Sequence, residues 1–373
     1  MNPAEDLASG ESNTDEDVIT MAKRIHISPG WMFRDEQGEE LNPRLFSLLQ
    51  GIKQTRKLTI ATKAAGMSYR HGWNLVEQAR VFFGGPVVRL EKGRGAELTP
   101  LGEKLLWAEE RVAARLKPQM ENLASELNIE IQKELSGQRP VLRLHASHGY
   151  AVALLPDFAR GFQLDLQYKP PSDALAALSR SSCDLAGIHV PAEIRLEGLI
   201  EHYSSYLAAK HYRVIRFITR QQGLMLAPSN PKCIQSIADL GRVGVKLINR
   251  QKDSGTRALL DQLLLLEDIA PRDIDGYEQE EFTHTAVAAF VAAGMADAGF
   301  GVEAAARQFG LEFLPVTKEH YLMIGHERTL SSEACRGFLA QLRSAEFHAE
   351  VAALAGYSAE KCGEIEALSN YFL

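Results

Sequence analysis

A chain of 373 residues, 45% hydrophobic and 24% charged, is long enough to bury two or three separate cores. No apolar run approaches the ~20 residues that cross a bilayer, and the N-terminus lacks the charged start and apolar stretch of a secretory signal, so a soluble, cytoplasmic protein with no membrane partner is expected. Cys183, Cys233, Cys335 and Cys362 are scattered without a Cys-x-x-Cys pair, which argues against a disulfide framework and against a metal site.

The net charge of −7 hides an asymmetry. Residues 1–20 carry six acids and no base, the composition of a disordered acidic tail. Residues 41–120 carry 14 Lys and Arg against 6 Asp and Glu. A basic module on an acidic body points to a polyanionic partner, although a merely solvated basic face would give the same count.

In chain order, residues 23–37 alternate around Pro29-Gly30 and read as a short hairpin. From Asn42, a cap followed by Pro43, the apolar residues Leu45, Leu48, Leu49 and Ile52 recur at helical spacing. Thr59 is placed to cap a short second helix, Gly66 to allow a tight turn, and Ser68 to cap a third helix. On that third helix Trp73, Val76 and Ala79 are expected inward, leaving Tyr69, Arg70, His71 and Asn74 outward near its start. Helix, glycine turn, helix is the outline of a helix-turn-helix, whose second helix reads base edges with its N-terminal residues. Arg suits guanine, Asn suits adenine, and Tyr and Ser can reach phosphates. The stretch GGPVVRLEKGRGAELTPLG then reads as a two-stranded wing with Lys92 and Arg94 at its tip. Thr59, Ser68, Tyr69, Arg70, His71, Asn74, Lys92 and Arg94 are the candidate contacts to double-stranded DNA.

IHISPGWMF, LLQGI, AAGMSYRHGWNLVE and LTPLGEKLL occur here in order, and together they resemble the N-terminal winged helix of ModE-type regulators. The family usually has a Gly-Ser pair where Lys57-Leu58-Thr59 stands. The resemblance implies a winged helix-turn-helix domain (α+β) over residues 21–102 and dimerisation beside the wing. Residues 103–135 fit that role as a linking helix, with Leu105, Val112, Leu116, Met120, Leu123 and Leu127 along it and Pro118 expected to kink it. A homodimer or dimer of dimers is expected, with packing of this helix on its own domain as the other reading.

After the turn-rich SGQRP (136–140), strands and helices alternate: VLRLHAS, LDLQYKP, CDLAGIHV, RVGVKLI and ADAGFGV are apolar strand patterns with helices between. That texture is a mostly parallel α/β arrangement. HYRVIRFITRQQGLMLA and PVTKEHYLMIGH bracket one α/β unit and suggest paired crossovers between two lobes, lobe one at 140–215 and 320–373, lobe two at 225–318. Loops that open helices would line the cleft between them. Their candidates for binding a small anion are Ser147, His148, His189, Arg250, Gln251, Ser254, Gly255, Thr256, Arg257, Thr283 and His284, since helix N-termini offer free N–H groups and partial positive charge.

LHASHGYAVALLP, SSCDLAGIHVP, INRQKDSGTRALLD and the stretch from AVAAFVAAG to KEHYLMI resemble the periplasmic-binding-protein-like domain (type II) of bacterial regulators and MoeA-type fusions. The resemblance implies small-oxyanion binding, with molybdate or tungstate as effector and no resident cofactor. GFGVEA (299–304) also matches a dinucleotide fingerprint formally, and Ser147 stands beside His148. Neither makes a catalytic constellation, and an enzyme is not expected. The sequence reads as a one-component transcription regulator sensing a small anionic effector, molybdate, tungstate or a molybdenum-cofactor-related ligand. The alternatives are another anion or organic acid such as formate, or an enzyme or binding module of molybdopterin metabolism.

Overall fold

The computed structural model describes residues 24–372 apart from 31, 92–94, 137–138, 194–196 and 208–210. The acidic tail and the wing-tip candidates Lys92 and Arg94 therefore lie outside the described residues.

The N-terminal unit runs β1 (Phe33–Arg34), β2 (Glu40–Leu41), α1 (Arg44–Thr55), α2 (Leu58–Ala64), α3 (Tyr69–Phe82), β3 (Val88–Glu91) and β4 (Gly95–Leu98). The first hairpin turns at Asp35–Gly38, later than the Pro-Gly pair, because the Asp35 carboxylate accepts from Gln37 and Glu39 N–H and stabilises that turn. Leu45, Leu48, Leu49 and Ile52 form the core with Leu58, Ala61, Leu75, Val76 and Ala79. The helix starts at Arg44 with Pro43 as its N-cap, one residue later than expected; Asn42 stands just outside, and its Oδ1 accepts from Arg44 N–H at 3.0 Å. Gly66 takes φ +63°, and Arg44 Nη2 clamps the turn by donating to Ala65 and Gly66 carbonyls at 2.8 Å each. At Gly72 a Cβ would come within 2.3 Å of Thr62 Cγ2, so only glycine lets α2 and α3 pack this closely.

Two local expectations need correction. Thr59 caps nothing: α2 begins at Leu58, with Lys57 before it and no side-chain cap bond, and Thr59 is an exposed residue of the first turn. Trp73 is 45% exposed, because Gly72, Leu75, Val76 and Ala79 already fill the buried face of α3.

α4 (Pro100–Ser136) is one helix of 37 residues. Thr99 opens it by accepting from Gly102 N–H. It passes through Pro118 without a break; packing along its length outweighs the one backbone hydrogen bond a proline removes. Leu106, near its start, belongs to the core of the N-terminal unit.

Next come β5 (Val141–Ala146), α5 (Tyr150–Leu154), β6 (Gln163–Tyr168), α6 (Pro171–Ser179), β7 (Leu185–Pro191), α7 (Glu197–Ser204) and β8 (Tyr212–Leu226). They are followed by β9 (Leu247–Arg250), α8 (Gly255–Leu266), β10 (Glu280–Glu281), α9 (His284–Ala292), β11 (Ala298–Val302), α10 (Glu303–Gln308) and β12 (Glu312–His326). The chain closes with α11 (Glu327–Leu330), α12 (Glu333–Leu342), α13 (Ala345–Ala352), β13 (Tyr357–Ser358), β14 (Ile365–Ala367) and α14 (Ser369–Phe372).

The main sheet has the order β10-β9-β11-β8-β12-β7-β5-β6. β5 pairs in parallel with β6 and β7 in lobe one, and β9 pairs in parallel with β10 and β11 in lobe two. The two 15-residue strands β8 and β12 run antiparallel through the centre and serve both lobes, with register shifts at Pro315/Thr317 and Tyr321/Leu322. This α/β domain is two half-sheets joined by a pair of crossover strands. Such shared strands place hinge and cleft side by side.

Candidate ligand site between the lobes

Strands with both faces buried should be apolar, and β8 and β12 mostly are. The exceptions therefore stand out: Arg220 and Gln222 on β8, Thr317 and Glu319 on β12, all nearly inaccessible. Burying a charge costs several kcal/mol unless it is paired, so these residues hold one another. Arg220 Nε donates to Glu319 Oε2 at 2.7 Å, Gln222 Nε2 donates to the same oxygen at 2.9 Å, and Arg220 Nη2 lies 3.2 Å from His189 Nδ1. Arg220 Nη1 also reaches the loop before α5, where a Cβ on Gly149 would stand 3.5 Å from it.

Lobe two brings the N-termini of α8 and α9 to this group. Ser254 caps α8 by accepting from Arg257 N–H, and Thr283 caps α9 by accepting from Ala286 N–H. Thr256 Oγ1 lies 3.4 Å from Gln222 Nε2, and Gly255 faces His189, to which a Cβ would stand 3.7 Å away. Arg250, at the end of β9, donates to Gln251 Oε1 at 3.1 Å and to the Phe282 carbonyl at 3.0 Å. Among the described residues it has no carboxylate partner. His284 is buried with Nδ1 unpartnered, and the missing side chain of Gly301 leaves room for it: a Cβ there would stand 2.9 Å from that nitrogen. Gly299 likewise lets Val287 approach, so the fingerprint glycines serve close packing.

The charge balance follows. Burial, then Arg220 and Arg250, pull the His189 imidazole down to about 3, against the attraction of Glu319. Burial and the neighbouring Arg250, Arg220, His189 and His148 hold His284 well below the usual histidine range. Both rings are neutral at pH 7. Burial favours the neutral acid of Glu319, but the Arg220 charge and the hydrogen bonds from Gln222 and Arg220 outweigh it and keep the carboxyl below its ordinary value. Burial and Arg220 draw Arg250 down to about 9, still a cation at pH 7. Two guanidinium groups against one carboxylate leave one positive charge in surplus, beside two helix N-termini. Chemically the arrangement can hold an anion; it contains no activated nucleophile with its base.

His189, Arg250, Gln251, Ser254, Gly255, Thr256, Thr283 and His284 are thus brought together. Arg257 is not. Its guanidinium stacks 3.9 Å over the Tyr277 ring and bonds Asp261 Oδ1 and the Arg250 carbonyl, which braces α8. The Ser147 carbonyl accepts from Tyr321 Oη at 3.1 Å at the edge of the site. His148 lies at the border with α4, its Nε2 3.5 Å from Glu121 Oε2, and acts on His284 of the cluster. The sequence reading missed Arg220, Gln222 and Glu319 as site residues; polar residues interrupting two long apolar strands were the available signal.

Tyr150 Oη of lobe one reaches Thr285 Oγ1 at 3.2 Å and Gln308 Oε1 at 2.5 Å in lobe two, so the lobes are latched across the site. A groove of about 1520 Å³ lies between α1, α4 and lobe one and reaches Thr285 and Gln308 of lobe two. Both places hold buried polar atoms without partners, Gln50 Oε1 and Gln163 Oε1 in the groove and Gln222 Oε1 and His284 Nδ1 between the lobes; the interlobe cluster is preferred because it adds a buried guanidinium, Arg250, beside the N-termini of α8 and α9.

α4 crosses both lobes. Arg111 pairs with the buried Glu281 of β10, Arg115 lies 4.4 Å over the Phe282 ring, and Trp107 packs edge-on against Phe290 of α9. Further along, Asn122 Oδ1 accepts from Tyr168 N–H at 2.6 Å and Ser125 Oγ accepts from Leu166 N–H at 3.0 Å. These bonds satisfy the outer edge of β6, the last strand of the sheet.

Among the described residues no group of His, Cys, Asp and Glu could hold a metal ion, no helix is long and apolar enough to cross a membrane, and all four cysteines are free. Comparison with known proteins gives three findings. The protein YvgK of Bacillus subtilis is 29% identical over 199 residues, 53% of this chain and 64% of YvgK, so the chain spans just under two thirds of that relative. The molybdenum-pterin-binding protein MopB of Rhodobacter capsulatus is 28% identical over 192 residues, covering 44% of this chain and 70% of MopB. The solved OxyR of Corynebacterium glutamicum aligns over 84% of this chain and 94% of its own at 14% identity, with a TM-score of 0.44. The family model of the PBP superfamily domain matches residues 154–343, which hold most of the two-lobed fold and nearly all of the interlobe cluster, and the chain belongs to that family.

Proposed function

We propose that this chain is a DNA-binding, one-component transcription regulator whose two-lobed domain senses a small anion. The observation that carries the reading is α4, one unbroken helix that starts in the core of the N-terminal unit and is fastened to both walls of the ligand site. Arg111 holds Glu281, three residues before His284, while Glu121 Oε2 lies 3.5 Å from His148 Nε2 of the lobe-one loop and Asn122 and Ser125 bond the edge of β6. Lobe closure on a ligand would therefore bear on the helix that carries the N-terminal unit. Such coupling requires different affinity of the ligand for the two lobe arrangements.

The N-terminal unit supports the DNA part: Tyr69, Arg70, His71 and Asn74 are all exposed on the first half of α3, with Ser68 as its cap and a two-stranded wing behind it. The name of MopB supports a molybdenum-related effector, molybdate, tungstate or a cofactor-related ligand.

A second copy of the chain fits the outer side of α4. At about 100° per residue, Val112, Leu116, Met120, Leu123 and Leu127 fall opposite the face formed by Trp107, Arg111, Asn122 and Ser125. Leu123 and Leu127 are 51% and 42% exposed. Joint Leu123→Glu and Leu127→Glu substitution is expected to yield monomers in sedimentation velocity; an unchanged dimer would place the seam elsewhere.

For the sensing part, Arg250→Met is the direct test. An uncompensated buried cation destabilises, so the variant should melt no lower than wild type, and above it if anything. The rise in melting temperature that millimolar phosphate, molybdate or formate gives the wild type should disappear. A variant that keeps the anion response would remove Arg250 from the site.

A further inference from the structure

Within the sensing reading just proposed, the interlobe cluster also says which kind of anion it accepts. Gln222 is wholly buried. Its amide nitrogen is committed to Glu319 Oε2 at 2.9 Å, with Thr256 Oγ1 at 3.4 Å. A carboxylate oxygen can only accept, so the amide cannot be flipped and the other atom, Oε1, is fixed as an acceptor. That oxygen has no partner, although it belongs to the same planar group that meets the N-terminus of α8. On the facing side, His189 Nδ1 takes the Arg220 hydrogen bond, which leaves the proton of the neutral ring on Nε2 as a donor. Arg250 supplies further donors and an unbalanced charge. Gln222 Oε1 is thus an unmade acceptor in a buried cluster whose other members, Arg250 and the neutral His189 ring, have hydrogens to give.

A buried acceptor left unmade costs about 1–3 kcal/mol, and any ligand that enters without a hydrogen to offer leaves it unmade. We propose that the site selects a small anion that carries a hydrogen-bond donor beside its charge, a protonated oxyanion or a hydroxy acid, over anions that only accept. Its charge meets Arg250, Arg220 and the α8 and α9 N-termini, and its O–H donates to Gln222 Oε1. Fully deprotonated tetrahedral anions, molybdate and tungstate among them, and simple carboxylates match the charge and miss the acceptor, so of the effectors named above the cofactor-related ligand fits and the bare oxyanions do not.

The test uses paired probes of similar size and charge on the full chain at pH 7: inorganic phosphate against sulfate and molybdate, and glycolate against acetate. Calorimetry should give the donor-bearing member of at least one pair a Kd about tenfold to a hundredfold lower than its partner. In Gln222→Met that preference should flatten to within about threefold, while any residual binding persists. Sulfate or molybdate binding as tightly as phosphate, together with acetate binding as tightly as glycolate, would overturn the inference and leave anion sensing intact. Binding of none of the five would overturn both. The wild-type comparison decides the matter even if the Gln222 variant fails to fold.

Discussion

Glu319→Leu should melt on the order of 10 °C below wild type. Removing one partner of a buried pair costs about 3–5 kcal/mol, because the other charge stays behind without water or counter-charge. Here Arg220 is 2% exposed, and Gln222 loses its acceptor as well. Glu319→Gln, which keeps an oxygen to accept from both, should lose clearly less, and a calorimetric scan distinguishes the two. Equal loss in both variants would mean that shape, and not the ion pair, is what matters at this position. The same cluster fixes a pH trend. His189 and His284 have lowered values in the folded protein, so the unfolded chain binds their protons first as pH falls. Their contribution is complete above the unfolded value of about 6.5 and is lost below it, at up to about 1.4 kcal/mol per pH unit for each ring. The depressed carboxyl of Glu319 adds to the loss at lower pH, with the same sign. Melting temperature should fall steadily from pH 7 toward pH 4.

On the proposed DNA-reading role of α3, the joint variant Arg70→Ala and Asn74→Ala should lose on the order of a hundredfold in affinity for a DNA site selected by the wild-type chain, since a bidentate base contact is worth about 1–3 kcal/mol. Both side chains stand exposed on α3 and neither takes part in the core, so folding should be untouched. Weak, sequence-independent retention should survive, because phosphate contacts from the basic surface remain, and it should fall steeply with added salt. A mobility-shift titration at two ionic strengths separates the terms. Wild-type affinity in the double variant would remove α3 as the reading helix.

Much of this protein was legible from residue order alone. Leu45, Leu48, Leu49 and Ile52 mark the first helix because a helical face repeats every three to four residues, and Ser68 marks the start of α3 because its hydroxyl accepts from His71 N–H. The alternation of apolar strands with helices located the two-lobed domain, and Ser254, Gly255 and Thr256 were singled out at the start of the helix that meets Gln222 and His189. Those are local facts, carried by neighbours in the chain.

Tertiary structure decided the rest. The sequence did not say that Arg257 turns to Tyr277, that Trp73 faces outward, or that α4 runs through Pro118, because each outcome depends on which partner arrives from far along the chain. The heart of the site is of the same kind. Arg220, Gln222 and Glu319 sit in strands almost a hundred residues apart, and only the pairing of β8 with β12 makes them one cluster. A buried charge is tolerable only where folding supplies its partner, and no short window of sequence contains that partner.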